Sequence, residues 1–455
     1  MRQCYRLDTA LRTVRQDVAN QLSAEAIEKA CRQAGHTWRN RVLNPFEVIR
    51  WLLIQILHRN SAVQHLSLMS GRSFSDAAYC QARSRLPLAV LRNLLDGIVL
   101  HASKEARKDG LWHGHRTFLI DGSSVSMPDT PELQSHFGQP GGQKAGCGFP
   151  VAKLLAMFHA GTGLLAEIAI APLRTHDLSQ IGSVHPMIRP GDLLLGDRGF
   201  CSYLHLALLH LRGAHAVFRV HQRQKVDFTP GRKYARRGEH GRRVKGLPRS
   251  RQIRKLGPQD QVVEWYRPET APARHVCQDG RRVRIPARLK LREMRYKIMA
   301  KGYRTRDVTL VTTLLDAEIY TAREIAELYG KRWQVELNLR DLKQTLGMDV
   351  LKCKTVDGVL KEIHAFAIVY DLVRLVAMEA AGKQGVSPER ISFVDALRWL
   401  EMAETDSDLL KLVINPIRSG RFEPRVRKRR PKQFPLMKTP RRKWKEDIMN
   451  KGLAA

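Results

Sequence analysis

Apolar and polar positions change period along this chain. From residue 1 to about 112 the apolar residues recur at helical spacing. Phe46 to His58 is an apolar-periodic helix and Ala62 to Met69 a shorter candidate. Ser70-Gly71 breaks the run, and Ser75 can cap a further helix that ends before Pro87. From Arg116 the pattern turns to strands: TFLID (117–121), then VAKLLAMFHA (151–160) and LLAEIAIAPL (164–173), joined across Gly161-Thr162-Gly163 as a hairpin. A helix from Asp177 to Ile188, a strand DLLLGD (192–197), a helix from Tyr203 to Leu211 and a strand from Ala216 to Val220 follow. This order predicts a mixed sheet flanked by helices.

Residues 223–306 interrupt it. They are rich in Arg, Gly and Pro and hold alternating stretches at 261–267, 282–287 and 290–298, which read as an inserted, mainly antiparallel β region. A strand at 308–315 leads to TAREIAELYGKRWQVELNLRDLKQTLG (321–347), read as one amphipathic helix. Thr321 and Glu324 form a capping box, and Gly347 is a C-terminal stop. At about 100° per residue, Tyr329, Arg332, Glu336 and Lys343 share a face roughly 60° wide. Beside it runs an apolar stripe containing Leu328, Val335, Leu339, Leu342 and Leu346. That face is either an active-site wall or a solvated stripe with ordinary pairs such as Arg332 with Glu336. Helices at 358–380 and 388–403 and a basic tail complete the chain.

Charge narrows the picture. Lys+Arg 78 against Asp+Glu 44 gives +34, which implies a polyanionic partner, nucleic acid by default. The excess is concentrated in three islands. Residues 1–110 carry 17 Lys/Arg against 9 Asp/Glu, residues 219–255 carry 14 against 2, and residues 418–455 carry 14 against 3. Separate basic islands around a near-neutral core suggest a nucleic-acid backbone held at several places. Arg83 and Arg85, on the helix after the Gly71 turn, are candidate DNA contacts if that pair of helices is a helix-turn-helix. Such patterns also occur in ordinary helical bundles. No apolar run is long enough for a membrane span, and no signal region opens the chain. The seven cysteines lack CxxC spacing, so reduced cytosolic thiols are expected rather than a zinc site or disulfides.

Three acids stand out. Asp121 ends the first strand, Asp197 ends the fourth, and Glu336 lies within the helix. Singly, an Asp-Gly after a strand is most often a turn. Together, on neighbouring strands with the helix beside them, they are a set of hard oxygen ligands suited to Mg²⁺ or Mn²⁺. Two such ions can activate a water or 3′-hydroxyl and stabilise the leaving oxygen of a phosphodiester. Arg332, Lys343 and Tyr329 are candidate phosphate contacts.

FLIDGSS around Asp121, LLGDRGF around Asp197, and Tyr-x2-Arg-x3-Glu-x6-Lys in YGKRWQVELNLRDLK resemble the signature regions of the IS4 family of DDE transposases. The last pattern fits at all four positions, and the likeness covers about 117–345. It implies an α/β fold with an RNase H-like mixed-sheet catalytic core (113–222 and 307–380). A β-rich basic subdomain (223–306) would be inserted in it, with a helical N-terminal DNA-binding domain (1–112) and a helical, basic C-terminal region (381–455). It further implies Asp121, Asp197 and Glu336 as catalytic metal ligands for two Mg²⁺ or Mn²⁺ ions, and Tyr329, Arg332 and Lys343 at DNA phosphates. The implied activity is cutting at terminal inverted repeats, through a DNA hairpin, and joining 3′-hydroxyl ends to target DNA. A homodimer and a bacterial, cytoplasmic, nucleoid-associated location follow from the same likeness. A hairpin is easier to form if a flipped base stacks on an aromatic ring. Trp265, beside Tyr266 in the inserted region, either does this or packs beneath a basic sheet. Trp333, off the acid face, is assigned to packing at the edge of the site. Two rivals are an RNase H-like nuclease or resolvase without strand transfer and a non-catalytic DNA-binding descendant. The intact acids and phosphate-binding stripe argue against both.

Overall fold

The computed structural model describes residues 2–105, 111–175, 177–235, 246–277, 279–298, 307–402, 406–416 and 437–452. The basic run RVRKRRPK of the tail and parts of the inserted segment fall outside these ranges.

The chain begins with helices: α1 (Arg2–Val14), α2 (Gln16–Gln21), α3 (Ala24–Gln33), α4 (Pro45–Leu57), α5 (Gln64–Ser70), α6 (Asp76–Arg85) and α7 (Leu88–Glu105). α4 is their centre. Asn44 caps it by accepting from the Glu47 N–H, Pro45 pre-sets its first turn, and almost every residue after Pro45 is buried. Gly71 ends α5 in the left-handed conformation, and the Ser75 side chain caps α6.

Next come β1 (Thr117–Ser126), α8 (Pro131–Phe137), β2 (Val151–His159), β3 (Leu165–Pro172), α9 (Asp177–Val184), β4 (Leu193–Gly196), α10 (Tyr203–Leu211) and β5 (His215–Arg219). The inserted strands are β6 (Ser250–Gly257), β7 (Asp260–Tyr266), β8 (Arg274–Val276), β9 (Arg282–Arg284) and β10 (Arg288–Lys297), and β11 (Asp307–Thr312) closes the interruption. After it come α11 (Ala322–Gly330), α12 (Trp333–Arg340), a π turn (Asp341–Thr345), α13 (Val356–Gln384), α14 (Phe393–Met402) and α15 (Arg441–Gly452).

One mixed nine-stranded sheet runs in the order β3-β2-β1-β4-β5-β11-β10-β7-β6. β1, β4 and β5 are parallel, and every other neighbouring pair is antiparallel. The inserted strands therefore extend the sheet through β11 instead of forming a separate one, apart from the small β8–β9 ribbon. α13 is the buried mast that joins the parts. Its Glu362 accepts from Asn60 Nδ2 (2.5 Å) in the N-terminal helices and from the backbone N–H of Lys352 and Cys353 (2.8 Å each). Its Asp371 accepts from the Leu165 N–H at 2.8 Å at the start of β3.

Two expectations from sequence need correction. The helix read over 321–347 is broken. The Thr321–Glu324 capping box is present, but α11 ends at Gly330 and i to i−3 bonds from Lys331, Arg332, Gln334 and Val335 tighten the backbone there. The π turn then widens it again, and Gly347, at φ 88°, ends the segment. Glycine at the junction lowers the cost of this irregularity. Likewise β1 does not stop at Asp121, because Gly122 to Ser126 go on pairing with β2.

Candidate active site

The site is a gap in strand pairing. On its β4 side, β1 is paired from Thr117 to Ile120, where the partner of Ile120 is Gly196. β4 then stops, and β1 next meets a neighbour on this side at Ser126, which bridges to Val350 in the chain returning from the π turn. Between these points β1 pairs with no strand on that side among the described residues. Asp121 is the first residue of the gap, and Asp197 is the first residue past the end of β4. The two acids thus lie side by side where adjacent strands part.

Close packing fixes that fork. A methyl group added at Gly196 would come within 3.0 Å of Ile120 Cγ2, 3.1 Å of Phe218 Cε1 and 3.2 Å of Phe200 Cβ. Only a glycine lets the strands approach this closely. Tyr329, on α11, donates its hydroxyl to the Gly196 carbonyl at 3.4 Å and so ties the helix to the end of β4. This tyrosine is 7 % exposed, and burial holds its phenol above the ordinary range. Its contact is with the backbone beside Asp197, not with solvent.

Arg332 brings the third acid in. Its Nη2 donates to Glu336 Oε1 at 3.0 Å, while Nη1 stands 3.9 Å from Asp121 Oδ2. Burial opposes the charge on Arg332, but Tyr329, the Glu336 bond, Asp197 and Asp121 outweigh it and raise its pKa. Asp121 is pushed up from 3.8 to about 6. Burial is the main cause, Glu336 and Asp197 add to it, and the Gly122 N–H and Arg332 partly offset it. Lys343 Nζ donates to Ser123 Oγ at 3.1 Å inside the gap, and burial lowers its pKa.

The arrangement is thus three carboxylates around one guanidinium. Among the described residues no group of three His, Cys, Asp or Glu side chains is closed tightly enough to be a preformed metal cage. The donor set nevertheless suits a hard divalent cation: all-oxygen ligands, crowded enough to raise Asp121, with a cation already drawn among them.

The other sequence candidates lie elsewhere. Trp265 is 5 % exposed and donates its indole N–H to the buried Glu293 at 2.8 Å. It offers no ring face to a nucleobase, so of the two readings of Trp265 packing holds and stacking is withdrawn. Arg83 turns inward, its guanidinium on Gln55 (3.5 Å) and Cys353 (3.3 Å) and over the Tyr79 ring, whereas Arg85 two residues on is exposed. Trp333 is 47 % exposed on α12. Ser123 and Gly196 were missed by the sequence reading. Ser123 was within reach, because period two from Asp121 puts both on one face of β1.

Comparison with known proteins follows the same residues. Positions 112–372 match the family model described as Transposase DDE domain. The chain is 25% identical, over 94% of its length and 95% of the relative, to the transposase InsG for insertion sequence element IS4 of Escherichia coli (strain K12). It is 26% identical to the putative transposase InsZ of the same organism, over 43% of this chain and 68% of the relative. Among solved structures, a cryo-EM structure of a piggyBac transposase synaptic complex with hairpin DNA aligns over 90% of this chain and 80% of that chain. Identity there is 12% and the TM-score 0.39.

Proposed function

This chain belongs to the DDE transposase family of the IS4 type, and from that premise we propose that it cuts DNA at the ends of an insertion sequence and joins the freed 3′-hydroxyls to a target. One observation carries the reading: Asp121 and Asp197 flank the fork between β1 and β4, and Arg332 draws Glu336 to them. The sheet order β3-β2-β1-β4-β5, with β1, β4 and β5 parallel, supports an RNase H-like core.

In this reading Asp121, Asp197 and Glu336 would hold Mg²⁺ or Mn²⁺, two ions in all. Once bound, the ions would activate a water or 3′-hydroxyl as nucleophile and stabilise the leaving oxygen. The chain's own residues do the rest. Arg332 exchanges its carboxylates for a phosphate, which a planar guanidinium can grip in bidentate fashion. Lys343, held over the gap by Ser123, meets a second phosphate. Tyr329 positions Asp197 through the Gly196 carbonyl; its assignment as a DNA contact becomes a positioning role. Arg85 belongs to the surface that meets the terminal inverted repeats, and two copies synapse two ends. A hairpin route, if followed, needs an aromatic other than Trp265.

The test is purified protein with Mg²⁺ and a duplex carrying the element's own ends. Wild type is expected to cleave, and Glu336→Ala to bind without cleaving. Cleavage that survives in Glu336→Ala overturns the mechanism. Cleavage with no joining of ends to a target favours the nuclease reading.

A further inference from the structure

Apart from the nine-stranded sheet lies one small ribbon, β8 paired with β9, in the register Arg274↔Arg284, His275↔Val283, Val276↔Arg282. Opposed residues of an antiparallel pair point to the same side. Arg274, Arg284, Arg282 and Val276 therefore share one face, and His275 and Val283 the other. Val283 packs against the core, so the arginine face is the outer one; all three arginines are exposed and Val276 is 61 % exposed. The ribbon is pinned from beneath. Asp279 at its turn accepts from Arg212 Nη2 at 2.8 Å and from Arg281 Nε at 3.0 Å, and Tyr203 donates to the Pro286 carbonyl at 2.8 Å. The nearest acid of the turn is thus already engaged. Arg274, Arg282 and Arg284 have no acidic partner among the described residues.

Its position is informative. Arg212 and Tyr203 belong to α10 and its C-cap, and α10 packs through His205 on Phe218 (ring centroids 4.9 Å apart). Phe218 pairs with Gly196, and Gly196 with Ile120, so α10 covers the sheet face to which Ile120 points. Asp121, the next residue, points to the other face. The ribbon straps α10 on the side of the sheet away from the acids.

We propose that this ribbon is a second DNA-holding surface, gripping the phosphate backbone of duplex that is not the strand being cut. The proposal rests on the reading of the chain as a DNA enzyme. Charge complementarity supports it: arginine rows about 7 Å apart along the strands meet a backbone carrying one phosphate per ~3.4 Å of axis on each strand. A two-stranded ribbon also fits the width of a duplex groove.

The experiment is fluorescence anisotropy with a labelled duplex of arbitrary sequence, titrated over a range of KCl. Wild type is compared with R274A/R282A/R284A and with R274K/R282K/R284K. Each phosphate contact contributes roughly 0.9 to the slope of log K on log salt, so the alanine variant is expected to lose about 2 to 3 from it. At about 0.15 M salt its affinity should fall on the order of a hundredfold, while the lysine variant keeps the slope. Single substitutions, each expected to lose about 0.9, serve if the triple variant does not fold. A wild-type slope in the alanine variants overturns the ribbon and leaves the reading of the acids untouched. A wild-type protein that binds no duplex overturns both.

Discussion

Two groups of acids, one among the inserted strands and one at the fork between β1 and β4, are treated in opposite ways. In the first group, Asp260 forms a paired contact with Arg292, Nε at 2.8 Å and Nη2 at 2.5 Å. Glu293, fully buried, accepts from the Trp265 indole at 2.8 Å and from Gln261 at 2.9 Å. Both Glu293 oxygens are bonded to neutral donors within the fold. At the fork, Asp121, Asp197 and, from α12, Glu336 crowd one arginine at a place where strand pairing stops. Residue type does not separate the two sets. An acid whose oxygens are matched by local donors is part of the architecture; acids that share too few donors are left for a ligand.

That contrast can be broken by substitution. The largest effect is expected at Glu336→Gln, where Mg²⁺-dependent cleavage should fall by ~10³-fold or more while gel-shift affinity for the element ends changes little. Equal loss of both would move Glu336 into the architectural set. Next is Glu293→Ala, which leaves the Trp265 and Gln261 donors unmatched in the interior. Chemical denaturation should show a loss of about 2–4 kcal/mol. A neutral result would mean that this carboxylate is not holding the inserted strands.

Asp121→Asn should act in the reverse sense and stabilise the metal-free protein. A carboxyl with a folded pKa of about 6 against 3.8 unfolded costs stability once ionised. That cost is absent below about pH 4, grows between the two values and is complete above about 6. A gain on the order of 1–3 kcal/mol is expected at pH 7, vanishing at pH 4, and thermal melts at the two pH values test it. The smallest effect is expected for Tyr329→Phe, which removes one long bond to Gly196. It should cost about 0.5–1 kcal/mol and lower kcat more than DNA affinity. A selective loss of affinity would return Tyr329 to the DNA-contact role.

Elements carried by local pattern were legible in the sequence. The hairpin at Gly161–Gly163, the capping box at Thr321 and the strand β4 ending just before Asp197 each follow from neighbours a few residues away. The break at Lys331–Val335 was not, because helical periodicity runs unbroken through it; tertiary contacts of Tyr329 with Gly196 and of Arg332 with Asp121 accompany the tightened turn. The inward turn of Arg83 and Trp265 depends on Cys353 and Glu293, 270 and 28 positions away, which no local pattern records. Nor could spacing reveal that the inserted strands join the sheet, since that pairing is non-local.

That junction has a consequence for how such a chain can be edited. β5 and β11 are adjacent and antiparallel, with Arg219 opposite Leu310 and the Val220 N–H bonded to the Thr309 carbonyl. The ends of the whole excursion therefore sit where an ordinary hairpin turn would, and closing them costs only the entropy of a short loop. A miniature with residues 221–308 replaced by a two-residue turn would keep all three acids. It would also turn β11 into a bare edge strand, whose open hydrogen-bonding groups invite a neighbouring chain unless a lysine or a proline is placed on it.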